Sequence, residues 1–156
     1  MPPKGTKPVA SNRRARYDYD ILETYECGMV LSGSEVKSLR DSKVQLRESY
    51  ARVEGAEVWL YGVHIAPYAF APGAAGHDPD RRRKLLLNRR EIDEITASTQ
   101  QKGLTLIPLS IYFKDGRAKI EVGLARGRKT FDKRRAIAER DMERDVERSM
   151  RRRDKG

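Results

Sequence analysis

Arginine and lysine fall in three clusters along this chain: Arg13, Arg14 and Arg16 ahead of Tyr17 and Tyr19; Arg81, Arg82, Arg83 and Lys84 in one run; and Arg126, Arg128 and Lys129. A guanidinium fork grips two phosphate oxygens at once and lies flat on a base, so such clusters, interleaved with aromatic rings, suit RNA or DNA. One basic run by itself is usually a solvated face. Three of them, in a chain of formal net charge +10, add their fields at a polyanion and gain from counterion release. Tyr17 and Tyr19 either stack on bases or sit half-buried on a strand, and nothing local separates the two readings.

Catalytic and metal-binding patterns are much weaker. His64 and His77 have no spacing such as H-E-x-x-H that would turn two ligands onto one helical face. No phosphate-cradling Gly-x-x-x-x-Gly-Lys loop occurs, and Gly123-Leu-Ala-Arg-Gly127 lacks the third glycine of a dinucleotide fingerprint. A Ser-His-Asp triad depends on proximity in space and stays open at this level. Asp18 and Asp20 read as a solvated strand face. The single cysteine, Cys27, excludes a disulfide framework and any zinc site of several thiolates, and fits a reducing compartment. The expectation is a binding protein with no metal and no cofactor.

The elements that must position the cationic groups are read from periodicity. With 156 residues and 38% hydrophobic content, the chain suits one small domain plus charged appendages. It has no apolar run approaching the roughly 20 residues of a membrane span, and its basic start has no apolar stretch behind it, so a cytoplasmic protein is expected. Residues 1–16 are read as a flexible basic arm, residues 17–125 as the core, and residues 126–156 as a tail. The tail holds 13 basic and 7 acidic side chains.

Within the core, Glu57 to Ile65 and Ser49 to Glu54 read as strands joined by a turn at Gly55. Leu104 to Phe113 and Arg117 to Leu124 flank Lys114-Asp115-Gly116, whose Asp-Gly step suits the positive φ of a tight hairpin. Ile21 to Leu31 reads as a bent strand, and Arg81 to Lys84 as part of a loop. Helices are predicted over Ser34 to Arg40 and after Asn88, an N-cap with Glu91 three residues on. Short strands with helices at the corners fit a mainly β fold, a small closed antiparallel barrel. In the tail, Asp141 with Arg144, Asp145 with Arg148 and Glu147 with Arg151 support a solvated helix. Its narrow spine of Ala138, Met142, Val146 and Met150 predicts a segment that folds on a partner.

Six segments in order, Asn12-Arg-Arg-Ala-Arg16, Gly33 to Arg40, His77 to Leu87, Gly103 to Leu109, Gly123 to Gly127 and Asp132-Lys-Arg134, resemble the SmpB family, the tmRNA-binding proteins of trans-translation. The likeness spans nearly the whole chain. It implies an oligonucleotide-binding-like barrel and a noncatalytic adaptor that binds the tRNA-like domain of tmRNA and delivers it to stalled ribosomes. By the same resemblance, Asn12, Glu26, Lys37, Arg40, Arg83, Lys84 and Leu86 hold the RNA; the place of acidic Glu26 rests on the resemblance alone. Arg14, Arg16 and Tyr17 join them from the first basic cluster. The family's tail becomes helical in the empty message channel of the small subunit. That implies ribosome contacts for Arg128, Lys129, Phe131, Asp132, Lys133 and Arg134 near the decoding centre, then a helix with Ile137, Met142 and Met150. A monomer with no membrane partner is expected. The competing readings are an RNA-processing hydrolase with a basic groove and a peripheral membrane protein, the latter poorly served by a tail with no Trp or Phe after Phe131.

Overall fold

The computed structural model describes residues 5–68, 77–101 and 103–127. Nine strands and three helices lie within them: β1 (Thr6–Ser11), α1 (Ala15–Asp18), β2 (Tyr19–Met29), α2 (Gly33–Arg40), β3 (Val44–Gln45), β4 (Tyr50–Glu54), β5 (Glu57–Tyr61), β6 (His64–Ile65), β7 (Arg83–Leu86), α3 (Arg89–Thr99), β8 (Leu104–Lys114) and β9 (Arg117–Gly127). The main sheet runs β1-β8-β4-β5-β7-β2-β9, and β9 also pairs with β8. That extra pairing closes six strands into a ring-like antiparallel sheet, with β1 attached outside it along β8. One residue pair, Ala51 opposite Leu106, forms the β4–β8 seam. β3 and β6 make a separate two-stranded sheet.

The two hairpins follow from turn chemistry. Asp115 and Gly116 take φ of 51° and 76°, and Gly55 and Ala56 take 54° and 64°. Two consecutive left-handed residues form the primed turn whose twist matches paired strands. Along β9, Ile120, Val122 and Leu124 point inward. They meet Leu39, Val58, Leu60, Leu85, Ile95, Leu106 and Ile111 in the main core. Cys27 belongs to the same core, where burial pushes its thiol up to about 12 and keeps it a neutral packing group. A second, smaller cluster of Ala15, Ile107, Leu109 and Ala125 lies beneath α1. Gly123 opens space for it: a Cβ there would lie 3.0 Å from Ile21 Cγ2 and 3.1 Å from Leu109 Cδ1.

Three expectations are corrected by the backbone. The stretch read as a flexible arm contains β1, which pairs with β8 from Thr6 opposite Lys114 to Ser11 opposite Ser110, and then α1. The run Arg81 to Lys84, read as loop, enters β7 at Arg83 because Arg83 and Leu85 turn inward between β5 and β2. The strand expected over Glu57 to Ile65 is broken at Gly62, whose φ of +77° and approach to the Glu48 carbonyl, 3.0 Å from where a Cβ would lie, suit only glycine. The predicted helices form as Gly33–Arg40 and Arg89–Thr99. Asn88 caps the second by accepting from the Glu91 amide at 2.9 Å. Arg126 and Gly127, read as the start of the tail, complete β9 opposite Asp20 and Tyr19; the rest of the tail, and with it the expected helix, lies outside the described residues.

Candidate RNA-binding interface

The longest basic run is largely neutralised by acids from other elements. Arg83 is fully buried, and its guanidinium donates to Glu35 Oε2 at 2.6 Å, to the Val63 carbonyl at 2.6 Å, and to the Pro79 and Asp78 carbonyls at 3.0 and 3.3 Å. A side chain so enclosed cannot reach RNA, so the expectation of direct contact is corrected: Arg83 positions β7. Arg81 pairs with the same carboxylate of Glu35, Arg82 with Glu54 at 2.9 Å and Lys84 with Glu57. Burial raises the pKa of Glu35, but hydrogen bonds from Arg81, the Ser32 amide and Arg83 outweigh it and hold the carboxyl below its ordinary value. The amide contact belongs to a reciprocal capping box at the start of α2, Ser32 N–H to Glu35 Oε1 at 2.9 Å and Glu35 N–H to Ser32 Oγ at 3.4 Å.

Both histidines serve the loop before β7. His77 bonds the Ser34 hydroxyl through Nδ1 and donates from Nε2 to the Ile65 carbonyl, each at 2.8 Å, and His64 bonds Asp80 at 2.8 Å. Among the described residues, no three His, Cys, Asp or Glu side chains are grouped to hold a metal ion.

Cations without an acidic partner lie elsewhere. Among the described residues, Arg13, Arg14 and Arg16 at α1 and Arg47 before β4 are exposed and enter none of the ion pairs. Asn12, Arg14, Tyr19, Arg47, Tyr50 and Thr105 line a cleft of about 600 Å³. Asn12 fastens this corner to β8, its amide N–H on the Leu109 carbonyl at 2.7 Å and its Nδ2 on the Pro108 carbonyl at 3.2 Å. Tyr17 is half-buried next to them. Lys37 and Arg40 are exposed on α2, over the rings of Tyr68 and Phe113 at 5.5 and 5.8 Å.

Glu26, Lys84 and Leu86 share the outer face of β2 and β7. Leu86 stands 51% exposed opposite Gly28. Glu26 accepts from the Tyr112 hydroxyl at 2.5 Å and from Lys114 Nζ at 3.3 Å. The Tyr112 bond is the main reason its pKa is lowered, so it stays an anionic acceptor. Thus the structure brings together Asn12, Arg14, Arg16 and Tyr17 at one corner, Glu26, Lys84 and Leu86 on one face, and Lys37 with Arg40 on one helix. Arg128, Lys129, Phe131, Asp132, Lys133, Arg134, Ile137, Met142 and Met150 lie outside the described residues. Sequence reasoning passed over Arg47, which sits in the turn before β4, and Tyr50 and Trp59, for which the signal available was outward alternation on β4 and β5. No helix among the described residues is long and apolar enough to cross a membrane.

A ring-like antiparallel sheet with free arginines at one corner and exposed aromatic and aliphatic groups on its outer face defines a small β module of the nucleic-acid-binding class. The profile of the SmpB protein family matches residues 9–152. The chain belongs to the SmpB family. It is 54% identical over 152 residues to the SsrA-binding protein of Frankia casuarinae, covering 97% of this chain and 95% of that one. It is 58% identical over 145 residues to the SsrA-binding protein of Chloroflexus aggregans, covering 93% and 92%. A chain in a solved structure described as "tmRNA-SmpB: a journey to the center of the bacterial ribosome" superposes with a TM-score of 0.67 at 51% identity, over 83% of this chain and 94% of that one.

Proposed function

We infer that this chain is a noncatalytic adaptor of trans-translation, which binds the tRNA-like domain of tmRNA and carries it to ribosomes stalled on messages without a stop codon. The observation that carries the reading is 51% identity and a shared fold, over 83% of this chain, with a chain from the structure whose description names tmRNA, SmpB and the bacterial ribosome. The surface is consistent with it. The outer face with Glu26, Lys84 and Leu86, the α2 cations Lys37 and Arg40, and the corner of Asn12, Arg14, Arg16 and Tyr17 supply acceptor, phosphate and stacking contacts for a folded RNA. Arg83 supports that face from beneath. Residues 128–156 form a separate working part in this reading, which occupies the empty message channel, so the whole acts in the cytoplasm and needs no cofactor.

Gel-shift titration against tmRNA and an unrelated duplex RNA tests the reading, with tmRNA expected to bind more tightly and equal affinities overturning it. In the same assay, replacing Lys37 and Arg40 together by alanine should weaken tmRNA binding and reduce the salt slope by about 1 for each phosphate that is no longer neutralised. An unchanged slope would move the phosphate-binding groups off α2.

A further inference from the structure

We propose that the outer face of β4 and β5 is a stacking platform for unpaired nucleotides, built from Tyr50, Tyr61, Trp59 and the guanidinium planes of Arg52 and Arg82. The proposal rests on the reading that this sheet meets RNA and adds to it a mode of contact distinct from phosphate binding. Strand register creates the array: Tyr50 stands opposite Tyr61 and Arg52 opposite Trp59. The Tyr50 and Tyr61 rings stack with centroids 5.4 Å apart and planes 14° apart. Arg52 lies 5.0 Å from the centre of the Tyr61 ring, and Arg82 reaches across from the start of β7 to within 4.0 Å of the Trp59 ring centre.

Glu54 ties the array together. It accepts from Arg52 Nε at 2.6 Å, from Arg82 Nη1 at 2.9 Å and from the Tyr61 hydroxyl. Two guanidinium groups that share one carboxylate are held in orientation with one of their two charges answered. What they and the rings present outward is flat surface, which every base can stack on whatever its sequence. The free arginines around the neighbouring cleft have the opposite character, with charge available for phosphate.

Position argues for a nucleic-acid occupant. Trp59 pairs in register with Lys84, and Leu86 with Gly28, so the array continues along one outer face to Lys84, Leu86 and Glu26. At its other end, Tyr50 is 42% exposed and lines the cleft that also holds Arg14 and Arg47. A strand crossing the platform would lay its bases on the rings and bring its backbone to unpaired cations.

The test uses the full chain, a fluorescein-labelled uridine decamer and intact tmRNA. Binding of the decamer should be saturable and should change the emission of Trp59, the single tryptophan of the chain. Arg82→Ala and Tyr50→Leu should each weaken decamer binding about tenfold, and Tyr50→Leu, which removes no charge, should leave the salt slope unchanged. Tyr50→Phe, which keeps the ring, should bind as the parent does. Parent-like decamer affinity in both Arg82→Ala and Tyr50→Leu, or no decamer binding by the parent alongside intact tmRNA binding, overturns the platform alone. Decamer binding that responds to these variants, in a chain that does not prefer tmRNA over duplex RNA, keeps the platform and overturns the adaptor reading.

Discussion

Glu35 sits where three requirements meet: it closes the capping box of α2, and it receives Arg81 on one carboxylate oxygen and Arg83 on the other. Removing one partner of a buried pair leaves the other charge desolvated, so Glu35→Gln is expected to cost about 3–5 kcal/mol in denaturant unfolding. A loss below about 1 kcal/mol would mean that water or backbone takes over the arginines. Because the folded-state pKa of Glu35 is lowered, its contribution is complete above the ordinary carboxylate value and is lost as pH falls through the lower folded value. The same three residues mark how far local reading reaches. The run Arg81 to Lys84 was legible as charge, but the acid that answers Arg81 and Arg83 lies 46 and 48 residues upstream. A pairing across such a separation exists only once α2 and β7 are packed. The free cations of the first cluster and of α2 needed no such knowledge, because exposed charge is the default for an isolated run.

Among the elements, both hairpins were legible because the turn residues sit in the chain next to the strands they join. β1 was not, since its partner β8 lies about a hundred residues later and Pro8 and Gly5 in a basic stretch carry the marks of a loop. β7 was hidden by its composition: its inward positions hold Arg83 and Leu85, and only a buried acid makes an arginine fit a core face. Close packing of strands around the second cluster depends on Gly123, so Gly123→Ala should overpack Ile21 against Leu109 and cost about 1–3 kcal/mol. The measurement is the midpoint of thermal or denaturant unfolding. An unshifted midpoint would show that β2 and β8 can move apart at no cost, contrary to the close approach of Ile21 and Leu109 to Gly123.

At the scale of the whole molecule, Gly127, the last described residue of β9, pairs with Tyr19 next to α1 at one end of the ring-like sheet. Tyr19 also lines the cleft with Arg14, and the adaptor reading proposed above assigns RNA to the sheet and the ribosome to the residues after Gly127. The central claim is that these two duties are separable. Its most direct measurement is reconstituted tagging on ribosomes stalled at the end of a message without a stop codon, comparing the full chain with one ending at Phe131. Both chains should bind tmRNA with similar affinity, and only the full chain should support addition of the tag. Tagging of equal yield by the shortened chain, or failure of that chain to bind tmRNA, would contradict the claim.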